Sequence, residues 1–418
     1  MASPFQFVHC SDLHLGSSFR GLGGTLPGQA ELLVDAPFRA FENIVSLTLS
    51  TGAAFLAISG DVFDSGEPSA SVRFRFREGL ERLDAAGIPV FAAPGNHDPF
   101  PGAWRDSVPY PENLHIFHPD EVSFFPVEQD GTVIAEVGGI GHGSDRVSEN
   151  LALRFPAREQ GRGGERPFRV ALLHANIDSD PGVQPYAPAA LRDLSADVAD
   201  YWALGHVHKF RVLREAFPAV VYSGCAQGRA VDEPGAHGAA LVRVDALGRC
   251  RVEFRRNDLF EFETVTLDRL EQVENFDALF RLLREAVGQG ELPRLVRLRL
   301  AGPSPLNREL RASDRGELCE LFRRELARSG SRVFLESLTV DTCGVYDAGR
   351  LEAEDGFAAD IAAAAALLKE EGALPARIAA LRRAQPGVPA FTEEELEEIR
   401  AAARARLLDY LTGSLPFK

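Results

Sequence analysis

The sequence lacks the features of membrane and exported proteins. It has no run of eighteen or more apolar residues, the length that a membrane-spanning helix requires. The segment from Met1 to Phe5 shows neither the basic residues nor the apolar core of a signal peptide. We therefore expect a cytoplasmic protein that makes no contact with a membrane.

Cysteine is scarce as well. Five cysteines are spread over 418 residues, and none belongs to a C-x-x-C pair. An odd number at such spacing does not form a disulfide framework. Cys10 lies close to Asp12 in the sequence. A thiolate is a soft ligand, whereas the neighbouring residues offer hard ligands, which suit a different kind of metal ion. We therefore predict that Cys10 packs inside a strand.

Positive charge is in deficit. The 45 Lys and Arg residues are outnumbered by 61 Asp and Glu residues, which gives a net charge of −16. This balance argues against a protein that coats nucleic acid unaided, although bound divalent cations could still create one local site for a polyanion. Five arginines between Arg154 and Arg169 could touch a phosphate backbone, but a solvated surface loop is the plainer interpretation.

The order of apolar segments indicates an α/β sheet in the first part of the chain. Predicted strands alternate with predicted helices, and each strand leads into polar residues at its carboxyl end. The strands lie at 5–10, 55–58 and 88–91, with helices at 37–51 and between Val72 and Gly87. Because ligands bind outside the carboxyl ends of strands in such sheets, these polar residues should share one edge.

The chain is long enough for two domains and an appendage. Further short strands predict a two-layered β-sandwich flanked by helices for residues 1–257. A β-α-β-α-β pattern predicts a small α+β domain at 258–345, with a helix at 310–328 for which Ser313 is a plausible cap. Residues 346–418 form a predicted helical tail.

Side chains that can bind a metal follow five predicted strands, in the pattern D-x-H, G-D, G-N-H-D, H and G-H-x-H. Taken singly, each has a plain explanation as a turn, a helix cap or a core histidine. Together they predict a two-metal centre formed by Asp12, His14, Asp61, Asn96, His174, His206 and His208. Four other histidines are interpreted as ordinary core residues and His142 is left open; the four are His9, His115, His118 and His237.

The ligand types indicate the chemistry. Carboxylate, amide and imidazole donors without cysteine suit Mn²⁺ or Fe²⁺ better than a structural zinc. Two such ions, about 3.5–4 Å apart, can clamp the attacking and leaving oxygens of a phosphoryl displacement. Asp61 stands alone in its motif, so we expect its carboxylate to bridge the ions, and we expect Gly60, Gly95 and Gly205 to let the backbone turn sharply beneath them.

His97 is assigned a different role from its neighbour Asn96. We predict that it protonates the leaving oxygen, a role that suits an imidazole near neutral pH. Asp98 would hold the His97 ring in the useful tautomer. The alternative is that His97 is an eighth metal ligand.

The motifs, in this order, resemble those of the calcineurin-like metallophosphoesterase superfamily. Segments 12–16, 60–64 and 222–229 are similar to the SbcD-type DNA repair exonucleases, particularly their YhaO-like branch. Cys225 and Ala226 stand where that family usually has Ser and Pro, a departure that concerns loop packing more than chemistry. The resemblance covers the first two domains and fades after about residue 345.

The resemblance implies a division of the ligands between the two ions. One ion would be held by Asp12, His14, Asp61 and His208, and the other by Asp61, Asn96, His174 and His206, with His97 as the acid. It further implies Mn²⁺ as the metal, DNA as the substrate and a DNA-capping role for the second domain. The implied partners are an SbcC/YhaN-like coiled-coil ATPase and a second copy of the chain.

Two alternatives to a DNA nuclease stay open at this stage. The same metal centre would serve a phosphodiesterase or phosphatase acting on a non-DNA substrate, although neither needs the second domain or the tail. A scaffold that has lost its metals is the other alternative, and the intact ligand set argues against it.

The tail begins with a complete helix start. Thr392 can cap the helix, Glu395 can close a capping box, and Phe391 can pack on Leu396. An apolar stripe follows on one face of the predicted helix, formed by Leu396, Ile399, Ala403, Leu407, Leu408 and Leu411. It would either pack on the chain's own phosphoesterase domain or dock on the coiled coil of an ATPase.

Overall fold

The structure, a computed structural model, divides into two compact units, Met1–Glu263 and Thr264–Lys418. Among the residues that it describes, no helix combines the length and the hydrophobicity needed to cross a membrane. The described residues are 3–17, 30–104, 108–158, 166–179, 186–215 and 217–345, followed by 391–392, 394–397, 399, 403 and 409.

The first sheet of the larger unit carries most of the predicted ligands. Parallel strands β1, β2, β3 and β4 form one part of it, and β11 and β12 extend it antiparallel from β1. Helices α1 (Ala30–Thr51) and α2 (Ala70–Asp84) connect β1 to β2 and β2 to β3, and bury their apolar faces against the sheet. The strands are β1 (Phe5–Cys10), β2 (Leu56–Ile58), β3 (Val90–Ala92), β4 (Leu114–Ile116), β11 (Gly238–Val244) and β12 (Cys250–Arg256).

The second sheet supplies the remaining ligands. Its strands are bonded in the order β5-β6-β7-β8-β10-β9, and β6, β7, β8 and β10 run parallel. Short 3-10 turns at Leu151–Arg154 and Leu191–Asp193 lie in the connections. The strands are β5 (Ser123–Gln129), β6 (Thr132–Gly139), β7 (Phe168–His174), β8 (Tyr201–Gly205), β9 (Arg211–Arg214) and β10 (Ala219–Tyr222).

An aromatic core joins the two sheets. Phe7 of β1 stacks on Phe55 with ring centroids 4.6 Å apart and meets Tyr201 of β8 edge-on at 5.3 Å. All three side chains are fully buried, and offset or edge-to-face contacts of this kind stabilise beyond the burial of area alone. The predicted two-layered sandwich flanked by helices is confirmed.

The smaller unit has its own core. β13 (Glu261–Leu267) leads into it, followed by α3 (Phe276–Val287), β14 (Arg294–Pro303), α4 (Asn307–Ala312), α5 (Arg315–Arg328) and β15 (Val333–Cys343). The three strands form one sheet in the order β13-β14-β15, in which β14 and β15 are parallel. Buried side chains of the strands and helices, among them Leu283, Leu298 and Phe322, pack in one cluster.

The helix predicted at 310–328 is interrupted. α4 ends at Ala312 and α5 begins after Asp314, whose carboxylate accepts hydrogen bonds from the backbone N–H groups of Gly316 (2.9 Å) and Glu317 (3.1 Å). The Ser313 hydroxyl instead donates back to the carbonyl oxygen of Glu309. The predicted cap was therefore wrong by one residue, because Ser and Asp are both good caps and stand side by side.

The described residues of the tail include its capping box. The Thr392 N–H donates to Glu395 Oε2 at 2.6 Å, and the Glu395 N–H donates to Thr392 Oγ1 at 3.2 Å, as predicted. Leu396 is buried. Leu407, Leu408 and Leu411 of the predicted stripe lie outside the described residues.

One contact of the tail was not foreseen. Asp409 is buried, and its Oδ1 accepts hydrogen bonds from Asn307 Nδ2 (3.2 Å) and the Gly344 N–H (2.7 Å). At Asp409 the chain therefore packs on its own small unit, a position that neither interpretation of the tail had proposed.

The two cap assignments make different predictions for α5. Asp314→Ala should remove about 1 kcal/mol of local stability, which corresponds to roughly fivefold faster amide hydrogen exchange in α5. Ser313→Ala is the matched control and should leave exchange in α5 unchanged. Equal acceleration in both variants, measured by mass spectrometry, would contradict the assignment of Asp314 as the cap.

Candidate metal centre

All seven predicted ligands lie together at one edge of the sandwich. Asp12 and His14 follow β1, Asp61 follows β2 and Asn96 follows β3, so these four come from the first sheet. The second sheet contributes the last residue of β7 and two residues after β8, namely His174, His206 and His208. The carboxyl ends of parallel strands from both sheets thus meet at this edge.

The backbone is strained at these positions. Asp12, His14 and Asp61 have φ angles of 51°, 45° and 51°, and His206 has φ of 95°. Non-glycine residues rarely adopt positive φ, and each instance costs of order 1–3 kcal/mol. Four strained residues at one edge indicate that the fold sacrifices local stability to aim these side chains.

A first group of ligand atoms is centred on two imidazoles. His14 Nε2 lies 3.3 Å from His208 Nε2 and 4.0 Å from Asp12 Oδ1, and His208 Nε2 lies 3.7 Å from the same oxygen. Donor atoms of a single cation that bonds each of them at about 2.0–2.2 Å stand about this far apart. We call Asp12, His14 and His208 the first ligand group.

A second group is centred on His174. Its Nε2 lies 3.0 Å from Asn96 Oδ1 and 3.4 Å from Asp61 Oδ2. Asp61 Oδ2 also lies 3.8 Å from His14 Nε2, so one carboxylate oxygen faces both groups. These spacings, together with the oxygen and imidazole donors, fit divalent cations.

His206 joins the site mainly through its backbone and ring. Its N–H donates to the Asp12 carboxylate at 3.1 and 3.2 Å, and its ring centroid lies 5.2 Å from that of His174. Tyr186 packs edge-on against the His206 ring at 5.7 Å. The His206 side chain is therefore placed beside the second ligand group.

An oxygen atom lies behind each of three imidazoles. His14 Nδ1 lies 3.0 Å from Asp64 Oδ1, and His208 Nδ1 lies 2.5 Å from Glu233 Oε1. His174 Nδ1 donates to the Ser59 carbonyl oxygen at 2.8 Å. Partners of this kind set the tautomer of a ligating histidine and raise its basicity. No role was predicted for Asp64, Glu233 or Ser59 from the sequence.

The role predicted for Asp98 is wrong. Its carboxylate is buried and accepts hydrogen bonds from the backbone N–H groups of Gly95 (2.7 Å), Val62 (2.8 Å) and Phe63 (3.3 Å). With both oxygens engaged in this way, it does not orient His97. Asp98 instead holds the loops after β2 and β3 together.

Asp64 occupies the position that the prediction gave to Asp98. His97 Nδ1 lies 3.3 Å from the Asp64 carbonyl oxygen and 3.7 Å from Asp64 Oδ1. The His97 side chain is 36% exposed, and its ring centroid lies 4.8 Å from that of His14. His97 therefore borders the first ligand group with one face open to solvent.

The glycines act mainly through close approach. A Cβ at Gly95 would lie 2.2 Å from Asp61 Oδ1, and one at Gly205 would lie 1.8 Å from the Ser59 carbonyl oxygen. Of the three glycines expected to turn the backbone sharply, only Gly60 has a positive φ, at 95°. The small size of Gly95 and Gly205 lets side chains and backbone meet beneath the ligands.

Two histidines near the site have structural roles. His9 is buried between Tyr201 Oη (3.0 Å) and Ser59 Oγ (3.2 Å), as expected of a core histidine. His142, which the sequence left open, is buried and donates from Nε2 to the carbonyl oxygen of His174 at 2.8 Å. His118 is exposed, so the core interpretation is wrong for that residue.

The cysteines near the site act as packing residues. Burial raises the pKa of Cys10, which lies in the core against the first sheet. Cys225 is near His208 and Glu233, but burial also raises its pKa, and its Sγ lies 3.1 Å from His237 Nδ1. Both side chains therefore stay protonated thiols, which are poor metal ligands.

Three of the five arginines between 154 and 169 are engaged within the protein. Arg154 donates to the Pro119 carbonyl oxygen at 3.0 Å, and Arg158 pairs with Asp200. Arg169 pairs with Glu136 at 2.7 Å. Arg162 lies outside the described residues. Arg154 and Arg158 hold the loop to the sandwich, while Arg169 lies in β7 itself.

Neighbouring charges outweigh burial at the centre of the site. Burial alone would lower the pKa of His174, but the charge and hydrogen bond of Asp61 raise it to about 9. Burial likewise opposes ionisation of Asp61, and His174 outweighs it, so the pKa of Asp61 lies well below its usual range. His174 and Asp61 thus favour each other's charged forms.

Comparison with known proteins identifies the class. The calcineurin-like phosphoesterase family matches residues 5–210, and the middle domain of metallophosphoesterase YhaO matches residues 262–343. The chain belongs to the calcineurin-like metallophosphoesterase family, whose members hydrolyse phosphoesters with divalent metals. The resemblance seen in the motifs is confirmed.

Similarity to individual proteins places the chain more closely within this family. The chain is 32% identical over 311 residues to the uncharacterized metallophosphoesterase YhaO of Bacillus subtilis strain 168, covering 73% of this chain and 74% of YhaO. It is 27% identical over 234 residues to the DNA double-strand break repair protein Mre11 of Thermoplasma acidophilum, covering 54% and 57%. It is also 24% identical over 271 residues to a component of the SbcCD nuclease of B. subtilis, covering 58% and 66%.

The raised pKa of His174 predicts proton release on metal binding. At pH 7.5, below the pKa of about 9, the metal-free protein carries a proton on His174 that a bound cation must displace. The apparent affinity should rise about tenfold per pH unit between pH 6.5 and 8.5 for one displaced proton. Calorimetry with Mn²⁺ in buffers of different ionisation enthalpy measures the release; heats independent of the buffer would contradict it.

Proposed function

We propose that this protein is a Mn²⁺-dependent DNA nuclease that hydrolyses phosphodiester bonds by a two-metal mechanism. The observation that carries the proposal is the position of Asp61 Oδ2, within 4 Å of an imidazole nitrogen of each ligand group. Similarity to Mre11 and to the SbcCD nuclease component supports DNA as the substrate.

The ligands divide between two ions in this proposal. Asp12, His14, Asp61 and His208 would hold the first ion, and Asp61, Asn96, His174 and His206 would hold the second. Two bound divalent ions would supply Lewis-acid chemistry, which lowers the pKa of an attacking water and neutralises charge on the phosphoryl oxygens. The hard oxygen and imidazole donors favour Mn²⁺.

His97 donates the proton that the leaving oxygen needs. It lies beside the first ligand group and is partly exposed, so a substrate can reach it. Asp64 faces its Nδ1 and leaves Nε2 free to act toward the substrate. Asp61 Oδ1 accepts the His97 backbone N–H at 2.9 Å, which fixes the loop that carries the acid.

Each part of the chain has a role in this proposal. Residues 1–257 form the nuclease domain, 258–345 a capping domain and 346–418 a partner-binding segment. A chain with a net charge of −16 needs help to hold a polyanion, and an SbcC/YhaN-like coiled-coil ATPase, with a second copy of the chain, would provide it. We place the complex in the cytoplasm, in DNA repair.

The first test measures cleavage and metal content together. The protein should degrade linear DNA with Mn²⁺ and not with EDTA. Asp61→Asn should abolish cleavage and weaken both ions, because both ligand groups face its carboxylate. Asp245→Asn, which alters an exposed carboxylate paired with Arg249, is the control and should behave as wild type.

Two outcomes would count against the proposal. Hydrolysis of bis-nitrophenyl phosphate without cleavage of linear, nicked or single-stranded DNA would point to a phosphodiesterase or phosphatase with a non-DNA substrate. An Asp61→Asn protein that retains two tightly bound Mn²⁺ ions would remove the bridging role.

The second test separates the acid from its neighbours. His97→Gln should retain two ions yet slow DNA cleavage by about 10²–10⁴-fold, with a smaller deficit on a nitrophenyl ester whose leaving group needs no proton. Asp64→Asn should share this dependence on the leaving group. Asp98→Asn should instead lower the melting temperature, since its carboxylate accepts three backbone N–H groups. Equal deficits of His97→Gln on both substrates would exclude the acid role.

A further inference from the structure

One arginine connects the two carboxylates that orient the first ligand group. Arg229 Nη1 donates to Asp64 Oδ1 at 2.8 Å, and Asp64 faces His14. The backbone N–H of Arg229 donates to Glu233 Oε2 at 2.7 Å, and Arg229 Nη2 lies 3.8 Å from Glu233 Oε1. The same Oε1 atom faces His208. A single residue therefore braces both carboxylate–histidine pairs.

The arrangement is partly shielded from water. The side chains of Arg229, Glu233 and Asp64 are 17%, 16% and 31% exposed. Ion pairs with this degree of burial are screened less by salt than surface pairs, and their geometry is better defined. The chain offers these two carboxylates no comparable second cation among its described ion pairs.

We propose that Arg229 is a positioning residue that sets the affinity of the first ion and the orientation of His97. Its planar guanidinium holds Asp64 while its backbone holds Glu233, so the imidazoles of His14 and His208 keep their nitrogens 3.3 Å apart. Asp64 Oδ1 also lies 3.7 Å from His97 Nδ1, which links the same residue to the proposed acid. This inference rests on the proposed two-metal site.

A charge-conserving substitution isolates the geometric contribution. Removing the positive charge would leave two carboxylates uncompensated, which by Coulomb attraction would favour a nearby cation and mask lost geometry. Arg229→Lys keeps the charge but presents a single point donor in place of the planar fork. Any loss of metal affinity in this variant then reports positioning.

The experiment is a titration of the protein with Mn²⁺ in the absence of DNA, and calorimetry measures the affinity of each site. Arg229→Lys should weaken one of the two sites by about 10- to 100-fold, the usual effect of losing an outer partner of a ligand, and leave the other unchanged. Arg243→Lys is the matched control, because Arg243 pairs with Glu253 on the exposed side of β11, away from the ligands. It should bind both ions as wild type does.

Three outcomes would overturn the proposal. Two wild-type affinities in Arg229→Lys would remove the positioning role. Weaker DNA binding with unchanged Mn²⁺ binding would instead make Arg229 a contact for substrate phosphate. Equal weakening of both sites together with a lower melting temperature would mean a general structural role.

Glu233→Gln provides a second variant that does not depend on the folding of the first. Glutamine still offers an oxygen to His208 Nδ1 but loses the charge, so the same single site should weaken. Combined with Arg229→Lys, the loss should be less than additive, because both changes act on one network. Fully additive losses would mean that the two residues act independently.

If the wild-type protein binds two ions but does not cleave DNA, the proposed substrate is wrong, while these binding results still decide the role of Arg229.

Discussion

The site depends on burying one carboxylate, that of Asp61. Desolvating such a charge costs several kcal/mol, so it must be compensated by close partners. Its Oδ1 accepts the His97 N–H at 2.9 Å, and its Oδ2 faces His174 at 3.4 Å. Asp61 comes from the first sheet and His174 from the second, so the edges of both sheets are held in register around this charge. The same constraint explains why residue 95 is a glycine, since a Cβ at Gly95 would overlap Asp61 Oδ1.

Local features could be predicted from the sequence because they depend on neighbouring residues. The first strand was predicted with the bounds it has, Phe5–Cys10, since four of its six residues are apolar. β9 (Arg211–Arg214) was missed because its short segment has only two apolar residues, which lie between two arginines. The seven proposed ligands lie together as the strand-end argument required, while their metals and roles stay predictions.

The orienting residues could not be predicted, because they depend on contacts between distant loops. Asp64 and Arg229 are separated by 165 positions, and Glu233 lies 25 positions from His208. Asp98 was assigned to His97 on proximity in sequence alone. Two residues that follow a strand in succession point in different directions. The Asp98 carboxylate therefore accepts hydrogen bonds from the backbone N–H groups after β2 and does not orient the His97 ring.

A chain with net charge −16 needs a local source of positive charge to approach a polyanion. Arg229, which lies behind the first ligand group, is paired with Asp64 and Glu233 and so contributes little free positive charge. Two bound divalent ions would therefore be the largest positive charges at this edge. Attraction of a phosphate would then depend on the ions themselves, which couples substrate binding to occupancy of the metal centre. In such a protein, residues that position the ligands control substrate affinity without touching the substrate.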